Sequence, residues 1–221
     1  GMPELALQLA HLPIRTTAYD HAARAAELHV LLYALAATAD PRAPRREEIV
    51  RIVREARSYL PDSSKASDVV DFVLRGYLAE QSPDDWESVR DAVALRYQER
   101  AAENGFTYLG WTESSVNLAT GLIALLFGEG DLARTVKIGA LSGWDSDNGT
   151  ATMGGLVGLI WGLDEIRRLA PGRPLPDRYR AHRTRKALPD RLPGDDAAED
   201  TFTGMAERMM RLVATNTRGT P

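Results

Sequence analysis

Residues 116–127, VNLATGLIALLF, are apolar on every side of the helix they would form. A helix of that kind has no face to give to water, so other elements must cover it all round. It is expected to begin near Thr112 and to end at Gly128-Glu129-Gly130-Asp131, a turn that also caps the next helix, residues 132–141. The rest of the chain therefore has to supply a wrapping, and its periodicity says that the wrapping is helical. Pro3 opens a first helix with Leu5, Leu9 and Leu12 at helical spacing, and Pro13 is expected to stop it. Thr16 and Thr17 are expected to cap a second helix running to about Ala37, with Ala22, Ala25, Ala26, Val30, Tyr33 and Ala37 on its inner face. Residues 45–60 carry an apolar stripe of Ile49, Ile52, Val53, Ala56 and Leu60, and residues 66–80 one of Val69, Val70, Val73, Leu74 and Tyr77. Ser82-Pro83-Asp84-Asp85 is a helix start: a cap, a proline and acids in the first turn. Trp86, Val89, Val93 and Tyr97 form the apolar face behind it.

No alternating strand pattern is present, so the fold class expected is all-α: a single globular, orthogonally packed bundle of about eight or nine helices. Residues 2–170 make its core. From residue 171 to 198 the chain is rich in proline and arginine without a period, which predicts a surface loop or arm. Within residues 199–216 a last helix, over 201–214, is expected to pack on the same domain through Phe202, Met205, Met209, Leu212 and Val213.

Composition narrows the function classes. The chain has 221 residues, a net charge of -4 and no cysteine. The charge gives no global reason to expect nucleic acid or an anionic membrane as partner. The absence of cysteine excludes disulfides, thiolate metal sites and a cysteine nucleophile, and with no secretory signal it fits a cytoplasmic protein. The longest apolar run, 153–163, is shorter than the ~20 residues that span a bilayer. Gly1 ahead of Met2 reads as a remnant of tag removal.

The candidate chemistry lies at residues 142–162, SGWDSDNGTATMGGLVGLIWG. Asp145 and Asp147 sit one residue apart in a loop between apolar helices, followed by Asn148 and Thr150. Two buried carboxylates repel unless a proton or cation intervenes, and hard oxygen donors suit Mg²⁺, Ca²⁺ or Mn²⁺. The plainer alternative makes one aspartate a helix N-cap and leaves the other solvated. An EF-hand is excluded, because the fifth, sixth and twelfth positions counted from Asp145 are Gly149, Thr150 and Leu156. The helix after the loop is expected to end near Leu169, and within it Gly154, Gly158 and Gly162 fall at every fourth position and predict a smooth stripe for close backbone approach.

Residues 113–162, and more loosely the chain to about residue 169, resemble the ADP-ribosylglycohydrolase family. The resemblance rests on Gly143-Trp144-Asp145-Ser146-Asp147 before a small-residue helix, on Asn117 ahead of an apolar helix, and on Gly130-Asp131 with the helix after it. Pro3-Glu4-Leu5 and residues 23–37 also look like that family's middle region. The resemblance implies an all-α bundle that holds two Mg²⁺, or sometimes Mn²⁺, and cleaves the bond between the terminal ribose of ADP-ribose and its acceptor. Asp145 and Asp147 would be metal ligands and catalytic carboxylates. Asn148 stands where many members have a threonine ligand. The substrate implied is an ADP-ribosylated protein or a small ADP-ribose conjugate.

The family's other half-site, Ser/Thr-Asp-Asp/Glu-Thr, has no counterpart in the sequence; Ser82-Pro83-Asp84-Asp85 is a helix start. Three arrangements are open: a C-terminal portion of a longer protein, a short chain with weak or no metal binding, or a partner chain that completes the site. A catalytically inactive module of the same fold is the alternative to the enzyme. Asn117 is read as a tie between the metal loop and its neighbouring helix or as a plain cap. Trp144 is read as core packing or the wall of a nucleotide pocket. His11, His21, His29 and His182 have no partner at ligand spacing and receive no catalytic role. Arg173, Arg178, Arg180, Arg183, Arg185, Lys186 and Arg191 are diluted by Asp177, Asp190, Asp195 and Asp196, which favours a solvated loop over a nucleic-acid grip.

Overall fold

The computed structural model describes residues 1–169, 171–172, 174–180 and 199–217. The chain divides into two compact units at Pro171–Gly172, where the proline-arginine texture begins. The first unit holds α1 (Pro3–Thr17), α2 (Asp20–Ala36), α3 (Arg45–Ser58), α4 (Lys65–Ala79), α5 (Trp86–Ala94), α6 (Ser114–Gly128), α7 (Leu132–Leu141), α8 (Ser146–Trp161) and α9 (Leu163–Leu169). A 3₁₀ turn (Pro83–Asp85) leads into α5, and a π-helical turn (Leu95–Glu99) continues it.

The all-round apolar helix is the centre. On α6 every residue from Leu118 to Gly128 is buried, and α2, α3, α4, α5, α7 and α8 pack around it. Leu122, Ile123, Leu125 and Phe127 are fully enclosed, each contributing about 1.5–3 kcal/mol by leaving water. Glu129 in the left-handed region ends the helix, and the Asp131 carboxylate accepts the Arg134 N–H to start α7, as the Gly-Glu-Gly-Asp turn predicts. The stripes on α3 and α5 are buried as expected, and on α4 only Leu74 is left half-buried. Ser82 caps the 3₁₀ turn by accepting the Asp84 N–H.

Several expectations are corrected. Pro13 does not stop the first helix, which runs on to Thr17. The hydroxyls of Thr16 and Thr17 donate to the Pro13 carbonyl at 2.8 and 3.1 Å, and buried Ile14 anchors the last turn. Those threonines thus close α1 instead of capping α2. On α2 the buried residues are Ala23, Ala25, Leu28, Leu31, Leu32, Leu35 and Ala36, so the inner face is rotated towards the leucines. Leucine removes more area from water than alanine, and that outweighs the closer approach alanine permits. The helix after the aspartate loop does not continue to residue 169. Gly162, at φ +76°, breaks it, and Glu165 of the separate α9 is buried with its carboxylate on Arg45 of α3 and the Leu132 N–H. Arg45 holds the Glu165 carboxyl below the usual carboxylate range.

The glycine stripe is also corrected. A Cβ at Gly154 or Gly158 would meet only side chains, at 3.4 and 3.7 Å, and one at Gly162 would meet nothing within 4 Å. The close approach lies elsewhere: a Cβ on Gly139 of α7 would stand 2.6 Å from Thr150 Oγ1 and 3.1 Å from Thr150 Cα on α8.

The second unit contains a short antiparallel ladder, β1 (Arg178–Arg180) against β2 (Glu199–Thr201), with Tyr179 opposite Asp200. Apart from this ladder, whose three-residue strands are too short to show an alternating pattern, the described elements are helical, and the fold is all-α as expected. The last helix, α10, spans Phe202–Thr217, and Met205, Met209 and Leu212 on it are exposed. Of the arm, residues 181–198 and Arg173 lie outside the described residues, and with them His182, Arg183, Arg185, Lys186, Asp190, Arg191, Asp195 and Asp196. Among the described residues no helix is long and apolar enough to cross a membrane.

Gly139→Ala should lower the unfolding free energy in urea by roughly 1–3 kcal/mol, because α7 must move off the Thr150 backbone. Gly158→Ala should be neutral or stabilising by about 0.5–1 kcal/mol, since helix propensity improves and only Ile166 is touched.

Candidate functional site

The loop from α7 to α8 reverses the chain in four residues. Ser142 closes α7 by donating to the Ile138 carbonyl at 2.7 Å. Gly143 at φ +89° and Trp144 at φ +52° then take two successive left-handed conformations. For tryptophan that backbone costs roughly 1–2 kcal/mol, so the surroundings must hold it. They do so at both ends. The Trp144 indole packs half-buried on the core and its Nε1–H donates to Gln98 Oε1 at 2.8 Å. The next backbone N–H, that of Asp145, donates to Asn117 Oδ1 at 3.0 Å.

Asn117 is the hinge pin of this arrangement. It is one of two α6 residues left unburied, the other being Ser114. Its amide nitrogen donates to the Trp111 and Glu113 carbonyls, both at 2.9 Å. Both ends of the amide are thus engaged, and the orientation is fixed by two carbonyls on one side and an N–H on the other. Asn117 therefore does tie the aspartate loop to α6. Trp144 is a packed indole with its N–H engaged.

Asp145 occupies the N-cap position of α8, Asp147 its second residue and Asn148 its third. The Asp145 side chain makes no capping bond. It is half-buried, whereas Asp147 and Asn148 are exposed. Asn148 Nδ2 donates to Asp145 Oδ2 at 3.3 Å, and Thr152 Oγ1 donates to Asn148 Oδ1 at 3.3 Å. The positive end of the α8 dipole favours both carboxylates. Among the described residues no lysine, arginine or histidine forms an ion pair with either.

The two carboxylates are hard oxygen donors of the type that suits a divalent cation, and among the described residues neither is committed to a basic group. They do not build a closed cage, because among the described residues no three carboxylate, imidazole or thiol groups converge as a metal-ligand set. Asn148 presents its NH₂ to Asp145, so its oxygen would face an ion only after the amide turned over.

Several other polar contacts of the fold join residues far apart in the chain. His21 Nε2 lies 3.1 Å from Glu113 Oε1, across 92 positions, and the same Glu113 oxygen accepts the Ser114 N–H that starts α6. Trp111 is 62% exposed on the loop that Asn117 fastens. Gln98 sits on the π-helical turn, and nothing in its neighbourhood of sequence marks it. His29 is half-buried, desolvation pushes its imidazole below the ordinary value, and its Nδ1 bonds to the Ala25 carbonyl. Asp84 pairs with Arg134 at 2.7 Å, in keeping with its reading as part of a helix start.

The model of the family described as ADP-ribosylglycohydrolase matches residues 1–216 of the chain. No curated protein and no solved structure matches it.

Asn117→Asp keeps an acceptor for the Asp145 N–H but turns a carboxylate oxygen on two carbonyls. Losing both donated bonds should cost about 2 kcal/mol or more at pH 7, measured by urea unfolding. The new carboxyl would have a raised folded pKa, so the loss should shrink as pH falls and the group protonates.

Proposed function

Because the chain belongs to the ADP-ribosylglycohydrolase family, we propose that it hydrolyses the bond between the terminal ribose of an ADP-ribosyl, or related ribosyl, group and its acceptor. The acceptor belongs to a modified protein or a small conjugate. Asp145 and Asp147 are the residues proposed to carry the reaction and to hold a single Mg²⁺ or Mn²⁺. The observation that supports this most is the Asp145 carboxylate: half-buried, spared from capping, and unpaired by any basic side chain among the described residues. A bound divalent ion would supply alignment of the ribose hydroxyls and a more acidic water.

The chain's own groups have separable tasks. Asn117 fixes where Asp145 leaves the backbone. Asn148 donates to Asp145 Oδ2, and Oδ1 is the oxygen proposed to take the ligand. Asp147, the more exposed carboxylate, accepts the proton of the attacking water. Cleavage builds positive charge on the sugar ring, and two negative carboxylates nearby stabilise that charge as it forms.

A second reading has its own support. The missing third acidic group favours a module that keeps the fold for binding or structure without turnover. A further chain or segment that adds ligands would restore the first reading.

With Mg²⁺ or Mn²⁺ at a hundred times its Kd, the native state should gain about 2.7 kcal/mol, seen as a rise in Tm. Asp145→Ala should abolish that rise, and an unchanged rise in the variant rejects the site. Release of ADP-ribose from an ADP-ribosylated protein should require the ion. Metal-dependent stabilisation without any release would favour the inactive module.

A further inference from the structure

We propose that Gln98 is a positioning residue for the Asp145 carboxylate, acting through the Trp144 indole that it holds; its functional consequence rests on the cation-site reading of Asp145 and Asp147. The starting observation is the strained pair of left-handed residues before Asp145. Glycine accepts such a backbone, but Trp144 does not without an external hold. Its own side chain provides the handle. The indole N–H has one acceptor, Gln98 Oε1 at 2.8 Å, carried on a segment 46 residues earlier in the chain.

That segment is built to be rigid. The turn at Leu95–Glu99 is π-helical, closed by the Arg100 N–H on the Leu95 carbonyl at 2.9 Å. Such turns are rare; they occur mostly as single insertions within α-helices, frequently at functional sites. The inserted residue changes the direction in which the following side chains leave the helix. Here Tyr97 and Arg96 both reach Asp68 of α4, at 2.8 and 3.0 Å, and Arg96 also reaches Asn104. Tyr97 is fully buried, with Phe72 and Phe106 edge-on to its ring. With the two residues before it held in this way, the backbone that carries Gln98 is anchored to α4.

The loop is therefore clamped by two neutral amides, Gln98 on the side chain of Trp144 and Asn117 on the backbone of Asp145. Neither adds charge beside the carboxylates. Lysine or arginine could serve in neither place, because neither side chain has an acceptor for an N–H, and a carboxylate could accept the bond only by adding a negative charge to the loop's supports. Without Gln98, Trp144 can relax to an ordinary backbone conformation, which swings the Asp145 N–H off Asn117 and turns its carboxylate away.

The test uses the full chain, ¹⁵N-labelled, with Gln98→Leu, Gln98→Glu and Trp144→Phe. The first and last remove the hydrogen bond from opposite ends, so one serves if the other fails to fold. Gln98→Glu keeps an acceptor. The Asp145 backbone amide should exchange with solvent at least tenfold faster in Gln98→Leu and in Trp144→Phe, over and above any change at Leu122 and Leu156 in the core. Gln98→Glu should stay within twofold of the native chain. Equal acceleration at all three amides would mean that Gln98 is merely structural, and an unchanged Asp145 amide would overturn the proposal outright. In a parallel titration with Mn²⁺ alone, Gln98→Leu should bind at least tenfold more weakly than the native chain, and equal affinity counts against the proposal. Absence of Mn²⁺ binding by the native chain refutes the cation reading instead, and the exchange rates then decide the role of Gln98.

Discussion

The fold depends on one requirement: a helix with no polar face has to be buried on all sides. α6 meets it by taking six other helices as neighbours, and those neighbours inherit their places from it. α4 and α5 cover one side with Tyr77 edge-on to Phe127 and with Trp86, Val89 and Val93. α7 and α8 cover another, so close that Gly139 meets the Thr150 backbone. Helices that approach this tightly leave little slack in the loop joining them. The four residues 142–145 must turn the chain within that limit, which is why two of them adopt left-handed backbone and why the loop needs outside support.

Part of that support comes from the polar N-terminal end of α6. Asn117 breaks the apolar run near its N-terminus, and there the amide reaches the loop. Had residue 117 been leucine, the core would be larger by one side chain and the Asp145 N–H would have no partner. The site thus sits where the packing requirement is relaxed, at the open end of the central helix. Its carboxylates lie at the N-cap and in the first turn of α8, where the helix dipole stabilises them, and the Asp145 side chain makes no capping bond.

Much of this was written in the sequence, for physical reasons that differ by element. The burial of α6, the stripes of α3 and α5 and the Gly-Glu-Gly-Asp turn follow from periodicity and cap chemistry, both local properties. Asp145, Asp147 and Asn148 stood out through spacing and through resemblance to a family. What was not legible depends on distance or on competition. Pro13 usually ends a helix, but two threonine hydroxyls and a buried isoleucine keep α1 intact. The inner face of α2 was decided by leucine area against alanine fit. His21 and Glu113 are 92 residues apart, and Gln98 and Trp144 are 46 apart, so neither pair carries a signal in the chain. The π-turn is invisible too, since a single inserted residue leaves Trp86, Val89, Val93 and Tyr97 reading as one regular face.

The account turns on whether two aspartates at the start of α8 capture a hard ion. Electron paramagnetic resonance of Mn²⁺ counts bound ions directly and is blind to turnover. The account predicts one bound Mn²⁺ per native chain and none in Asp147→Ala. Zero bound ions at millimolar Mn²⁺ in the native chain, or an undiminished signal in the variant, would contradict it.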